Sequence, residues 1–328
     1  MKVLVIGGAG YIGSVVVREL QRRGHEPVVY DNLRTGHREA VPPEVPLVLG
    51  DLADRDQLAT AFQRYAPEAV MHFAAFIEAG ESMRFPGRFF ANNVASVITL
   101  LNTMLDHDVT RFVFSSSAAV YGDPDSLPVT ETAFLRSTNP YGETKAMVET
   151  VLRWLGELSG LRYVSLRYFN AAGAADGVGE DHSPETHLIP IVLQSALGLR
   201  EAVTIYGDDY PTRDGTCIRD YVHVSDLAQA HALALDYLTA QERSLVCNLG
   251  SEQGASVREV VEAARRITGI DFPVLMGPRR EGDPASIIAS SQRAMEALGW
   301  RREHSSLEEI IASAWEWHRT HPRGYASS

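Results

Sequence analysis

The sequence predicts a doubly wound α/β fold, a parallel sheet with helices on both faces, joined to a smaller mixed α/β lobe. Three observations carry that expectation. Short apolar runs at 2–6, 27–30, 47–49, 69–73, 111–114 and 162–166 alternate with segments such as 13–23, 91–105 and 145–158, whose apolar residues recur at helical spacing. The runs are nearly continuous in Val, Ile, Leu, Phe, Ala and Met, as expected of strands covered on both faces. A length of 328 residues corresponds to about two lobes at roughly 150 residues each. Strand, helix, strand in succession, with right-handed crossovers, closes into such a sheet.

Taken in order, the first run meets Gly7-Gly8-Ala9-Gly10-Tyr11-Ile12-Gly13 before the first helical segment. Glycines at 7, 10 and 13 permit a tight turn, close approach of backbone to a diphosphate and close packing of helix on strand. The second run ends in Tyr30-Asp31-Asn32, with Asp31 lying 18 residues after Gly13, where a carboxylate can take both hydroxyls of an adenosine ribose. The same carboxylate repels a 2′-phosphate, and the nearest arginine is Arg34, so NAD is favoured over NADP. The third run leads to Asp51 and Leu52; Asp51 either lies beside the adenine or caps the helix over 55–65. The fifth run ends in Ser115-Ser116-Ser117, at the carboxyl end of a strand, where open α/β sheets place their ligands. Pro140 suits the first turn of a helix, so Tyr141 and Lys145 share one helix face. An ammonium beside a phenol lowers the tyrosine pKa and makes Tyr141 a usable general acid and base. Strand-end serine, Tyr–Lys pair and NAD loop together describe hydride transfer to or from an alcohol.

The second half is less rhythmic. Residues 171–187 are rich in Gly, Ala, Asp and Ser and read as a loop or lid, followed by apolar runs at 203–206, 245–249, 274–276 and 286–289. Ser256 to Glu259 and Ser306 to Glu309 have capping-box spacing, and the last periodic stretch, to about His318, precedes a frayed tail around Pro322 and Gly324. The 30 Lys and Arg against 42 Asp and Glu give a net charge of −12, which argues against broad contact with nucleic acid or anionic lipid. Cys217 and Cys247 make no disulfide framework, no apolar run nears the roughly 18 residues of a membrane span, and the apolar run at 3–6 goes straight into glycines. A soluble cytoplasmic protein is expected.

The motifs in this order, with His72–Ala75, Gly80-Glu81-Ser82, Asn92-Asn93-Val94, Leu166–Asn170, 206–212, 214–216, 219–224 and 279–283, resemble the extended short-chain dehydrogenase/reductase family, and within it the UDP-sugar 4-epimerases. The resemblance spans nearly the whole chain. It implies a Rossmann sheet holding NAD in residues 1–170, with return segments around 220–250, and a UDP-sugar lobe drawn mainly from 171–328. It also implies interconversion of UDP-galactose and UDP-glucose through a 4-keto sugar, with no metal, in a homodimer built on helices near 91–105 and 141–158. Tyr141 would move the proton of the sugar 4-hydroxyl, Lys145 would tune Tyr141 and hold the nicotinamide ribose, and Ser117 would bind the reacting oxygen. Phe73, Ala74, Ala75, Asn92, Ser115 and Tyr168 would join the glycine loop, Asp31, Asn32, Asp51 and Leu52 at the cofactor. Asn170, His187, Leu188, Tyr206, Arg219, Arg280 and Asp283 would hold the UDP-sugar, the two arginines facing its diphosphate.

The sequence also departs from that pattern. His187 stands where Asn is frequent, Ala118-Ala119 replaces the common Ala-Thr, and Phe76-Ile77-Glu78 lacks the Lys that many members carry there. Ile287 falls where pocket size varies, which leaves acceptance of N-acetylated sugars open, as it does the epimerisation of other UDP-sugars such as UDP-glucuronate. The stretch after Ser117 holds no carboxylate for 4,6-dehydration, and an intact Tyr141, Lys145 and Ser117 argue against a non-catalytic NAD-sensing module. The histidines read as structural, with no cluster at metal-ligand spacing.

Overall fold

A computed structural model describes residues 1–280, 283–304 and 306–327. The chain runs β1 (Lys2–Ile6), α1 (Tyr11–Arg22), β2 (Glu26–Asp31), β3 (Leu47–Leu49), α2 (Arg55–Tyr65), β4 (Ala69–His72), α3 (Ala79–Arg84), α4 (Pro86–Phe90), α5 (Ser96–Asp106), β5 (Arg111–Ser117), α6 (Pro140–Ser159) and β6 (Arg162–Tyr168). It continues through β7 (Asn170–Ala172), α7 (Leu188–Ala196), β8 (Val203–Tyr206), β9 (Ile218–Arg219), β10 (Tyr221–His223), α8 (Val224–Gln241) and β11 (Leu245–Leu249). The last elements are β12 (Ala255–Ser256), α9 (Val257–Thr268), β13 (Val274–Gly277), β14 (Ser286–Ile287), α10 (Gln292–Leu298) and α11 (Leu307–Thr320).

Seven strands form one parallel sheet in the order β11-β6-β5-β4-β1-β2-β3. The unbroken apolar runs have the cause anticipated, because successive residues of β1 enter opposite cores. Val3 and Val5 face a core with α1 and α8, while Leu4 and Ile6 face one with α2, α5 and α6. Each such side chain stabilises the fold by about 1.5–3 kcal/mol relative to exposure. α8 presents Ala228, Ala230 and Ala234 to the first core, and its small residues let it lie close against α1. A third core gathers α7, β8, α9 and α11 into the second lobe. α9 begins with a full capping box, Ser256 Oγ accepting from Glu259 N–H and the Glu259 carboxylate from Ser256 N–H.

Several expectations change. β5 and β6 extend to Ser117 and Tyr168, because Ser115, Ser116 and Ser117 pair with Leu166, Arg167 and Tyr168, a ladder that local propensity does not signal. The helix expected over 91–105 is split, with a wider π-type turn over Ala91–Ala95 ahead of α5. α2 is capped by Asp54, whose carboxylate accepts from the N–H groups of Asp56 and Gln57, so Asp51 is not its cap. The tail is docked, not frayed: Tyr325 stacks on His37 with ring centroids 4.7 Å apart, and its N–H donates to Asp181. No helix of the described residues is long and apolar enough to cross a membrane.

Candidate active site

The site opens at the carboxyl ends of β1, β2, β4, β5 and β6, where the connections to the helices diverge. Its floor is the glycine loop. Gly7 sits at φ +76°, and a Cβ there would lie 2.6 Å from Ala74 N. A Cβ on Gly13 would lie 2.3 Å from the Gly7 carbonyl oxygen, so both glycines are demanded by the fold. Gly10 differs. A Cβ there would meet only the Gly7 carbonyl oxygen, at 3.4 Å, and otherwise point into the pocket. That leaves a cradle for a ligand that approaches the backbone. α1 starts at this point with no side-chain cap and no acidic residue in its first turn, so its N–H groups and dipole face the pocket.

Asp31, at the end of β2, is held over the loop by the N–H groups of Ala9 (3.0 Å) and Leu33 (2.8 Å). Burial raises its pKa, and those two N–H groups oppose the rise. Each carboxylate oxygen keeps acceptor capacity for a ribose hydroxyl. Asp51 and Leu52 line a smaller adjoining cavity with Tyr30, Gly50 and Asn92. Loop, free helix end and carboxylate together fit NAD.

Two sequence motifs lock the far wall. Asn93, in the wide turn, accepts from Phe76 N–H and donates to the Phe76 carbonyl, each at 2.9 Å, which fixes the 73–78 segment beside Asn92. Ser82 Oγ accepts from Tyr141 N–H at 3.2 Å, and the Asn139 side chain caps α6 by accepting from Gly142 N–H. α6 therefore starts in a set position, and Tyr141 and Lys145 line the pocket opposite Ser117, at the end of β5.

The electrostatics differ from the sequence expectation. Lys145 Nζ lies 5.9 Å from the Tyr141 ring centroid and donates to the Ser115 carbonyl at 2.8 Å, over the face of Phe114. Burial lowers its pKa to about 7, against the partial opposition of Glu149. Tyr141 is raised above its ordinary value by burial; the Ser117 hydroxyl, hydrogen-bonded to it, opposes that rise and the Glu78 carboxylate adds to it. In the chain alone the phenol is thus not lowered: its own burial outweighs the Ser117 hydrogen bond, and Lys145, held on the Ser115 carbonyl, does not offset it.

Phe73, Ala74, Ala75, Tyr11, Ile12, Asn32, Tyr168, Asn170 and His187 also line the pocket, as does Arg34, whose guanidinium lies 4.8 Å from the Phe76 ring centroid. Ser115 stands behind it, its hydroxyl bonded to Tyr168 and 3.3 Å from His231 Nε2. Leu188 opens α7 and packs on the second lobe's core. Tyr206, Arg219, Arg280 and Asp283 form a separate group: the Arg280 guanidinium lies 5.0 Å from the Tyr206 ring centroid, and Asp283 takes both Arg280 (2.9 Å) and Arg219 (3.6 Å).

The sequence reading missed part of the wall. Thr35, Gly36, Phe169, Ala171, Glu180 and His182 line it too. Glu180, His182, Glu185 and His187 converge, although their stretch reads as plain loop. Burial alone would raise the Glu180 carboxyl, but His187 and His182 hold it at about 2; burial alone would lower His187, but Glu180 and Glu185 push it up to about 10. The pattern Glu-x-His-x2-Glu-x-His carries the signal in the chain, half of it in carboxylates rather than in His or Cys.

Residues 3–250 match the NAD dependent epimerase/dehydratase family. A UDP-glucose 4-epimerase of Lactobacillus helveticus is 50% identical over 327 residues, covering 99% of each chain. The crystal structure of the Brucella ovis UDP-glucose 4-epimerase in complex with NAD superposes with a TM-score of 0.94 at 46% identity, over 96% of this chain and 97% of that one. The Bifidobacterium longum UDP-glucose 4-epimerase in complex with NAD+ and UDP gives a TM-score of 0.94 at 36% identity, over 99% of this chain and 100% of that one. With its glycine loop, strand-end acid and Tyr–Lys helix gathered at one pocket, the chain belongs to the NAD dependent epimerase/dehydratase family.

Proposed function

We propose that this chain interconverts UDP-galactose and UDP-glucose by reversible oxidation and reduction at C4 of the sugar, with NAD retained between turnovers. One observation carries the reading: Ser117, Tyr141 and Lys145 face the pocket whose floor is the Gly7–Gly13 loop and Asp31. NAD, when bound, supplies a reversible hydride acceptor and a positive charge in the pocket. The residues 1–170, with β10, α8 and β11, are assigned to its binding, and 171–328 mainly to the UDP-sugar.

Tyr141 takes the proton of the sugar 4-hydroxyl and returns it to the opposite epimer. Ser117, bonded to the Tyr141 hydroxyl, holds the reacting oxygen in line with that transfer. Lys145, anchored on the Ser115 carbonyl, sets the proton balance of Tyr141 and holds the nicotinamide ribose. Asn170, His187 and Leu188 hold the sugar nucleotide from one side, and Tyr206, Arg219, Arg280 and Asp283 from the second lobe. Guanidinium forks match diphosphate oxygens, and in a chain of net charge −12 a few placed arginines must offset a repulsive field.

A homodimer across α5 and α6 is part of the same reading. Met147, Trp154 (50% exposed) and Leu158 (78% exposed) lie on one face of α6, with Ile98 exposed on α5. The two cysteines are free and buried, which fits a reducing cytoplasm.

The test is incubation of the purified protein with UDP-galactose, no NAD added, and identification of the product. UDP-glucose is expected, and Tyr141→Phe should lower kcat by about 10²–10⁴-fold while bound NAD persists. No glucose epimer from an NAD-loaded protein would defeat the activity, and a near-wild-type Tyr141→Phe would defeat the role of Tyr141.

A further inference from the structure

Glu180, His182, Glu185 and His187 each turn one ligand atom toward a common point, all four atoms lying within 4.8 Å of one another. The Nδ1 atoms of His182 and His187 reach the same oxygen, Glu180 Oε1, at 3.1 and 2.7 Å, and His187 Nδ1 lies 2.9 Å from Glu185 Oε1. Both carboxylates are buried, and among the described residues their ionic partners are these two imidazoles. We propose that these four side chains hold one divalent transition-metal ion of the zinc class, bound in the wall of the active-site pocket.

The donor chemistry favours that class. Two imidazole nitrogens with two carboxylate oxygens suit Zn²⁺ and its neighbours, whereas Mg²⁺ and Ca²⁺ prefer oxygen throughout. The geometry is within reach. Ligands about 2.0–2.1 Å from a tetrahedral zinc stand about 3.3 Å apart, between the 2.7 Å of the tightest pair and the 4.8 Å limit of the cluster. Charge balances on binding: one divalent ion takes over, with both imidazoles neutral, the countercharge that the two imidazoles otherwise give the two buried carboxylates.

The position gives the ion a task. The four residues lie on irregular chain between β7 and α7, and they hold together a segment that has no ladder or helix of its own. That segment is tied to the cofactor floor where the Tyr11 hydroxyl donates to the Gly173 carbonyl at 2.6 Å, and to the tail where Tyr325 N–H donates to Asp181. Glu180, His182 and His187 line the pocket. The ion therefore sets the wall of the pocket and neutralises the two carboxylates that line or brace it.

The experiment uses the full chain with its NAD and without an affinity tag. The protein is stripped with a chelator, then titrated with Zn²⁺ and separately with Co²⁺, with bound metal measured by mass spectrometry. One equivalent per chain is expected, with the strong visible absorption of four-coordinate cobalt and a higher Tm on zinc addition. His182→Gln and Glu185→Gln should each weaken zinc at least about tenfold and lose most of the zinc-dependent rise in Tm. Circular dichroism verifies that each variant is folded. No saturable zinc uptake by the folded wild-type chain, or uptake undiminished in both variants, overturns the proposal.

Discussion

Lys145 is 4% exposed, and burial brings its pKa from an ordinary 10.5 to about 7. Folding therefore charges a stability penalty whenever the lysine is protonated in the unfolded chain and must be either deprotonated or buried charged. A depressed pKa means that the unfolded state binds more protons between pH 7 and 10.5, so stability rises with pH across that window and levels off below about 7, where both states hold the proton. Replacement by Met in the NAD-free chain removes the titration. Integrating the two titrations, the penalty is about 4 kcal/mol at pH 7 and about 2 kcal/mol at pH 9, so wild type gains about 2 kcal/mol on Lys145→Met between those values. With an unfolding entropy of about 2.1 cal/mol/K per residue over 328 residues, that is about 3 °C in Tm. The assay is calorimetry of both NAD-stripped proteins at pH 7, 8 and 9. Subtracting the variant cancels every other titrating group that the two share. A Tm difference that stays flat, or that widens in favour of Lys145→Met as pH rises, refutes the placement of a desolvated amine at this position.

Three further outcomes follow from the same geometry. Gly10→Ala should fold with a Tm close to wild type but lose at least about tenfold in NAD affinity, because its Cβ enters the space a diphosphate approaches; Gly13→Ala, whose Cβ would lie 2.3 Å from a backbone oxygen, should lower Tm outright, and equal NAD affinity in Gly10→Ala and wild type would contradict the cradle. Trp154→Glu should shift the chain to monomer in light scattering without loss of fold, and an unchanged mass would remove this face of α6 from the interface. Tyr325→Ala should cost about 3–5 kcal/mol through lost stacking on His37 and lost tilted packing against Trp317 and speed hydrogen exchange across 179–187, since the Tyr325 hydroxyl also donates to the Gly179 carbonyl; unaltered exchange there would show that the tail does not brace that segment.

Much of the sheet was readable from the chain, because a strand buried on both faces leaves the same mark wherever it lies: Val3 to Ile6 is apolar throughout as its residues alternate between two cores. The glycine loop was legible for a similar reason, since the turn and the helix contact tolerate no Cβ at Gly7 or Gly13. Strand ends were less so. Ser115, Ser116 and Ser117 are poor strand formers by themselves and become strand by pairing with β6, while Ser116 finds a buried acceptor in Glu149 at 2.6 Å.

What the sequence by itself determined was the order of the strands' burial, the place of the phosphate-binding turn and the helix face that Tyr141 and Lys145 share. These depend on contacts between residues close in the chain or on steric demands of single positions. What tertiary structure alone decided was electrostatic. Whether Lys145 stands near Tyr141 as a free ammonium depends on how much protein surrounds it, and burial beside the Ser115 carbonyl lowers its pKa to about 7 instead. Whether Glu180, His182, Glu185 and His187 are a loop or a cluster depends on a path through irregular chain that no periodicity records. Desolvation and charge convergence are properties of three-dimensional neighbourhoods, and spacing in the sequence carries only a weak trace of them.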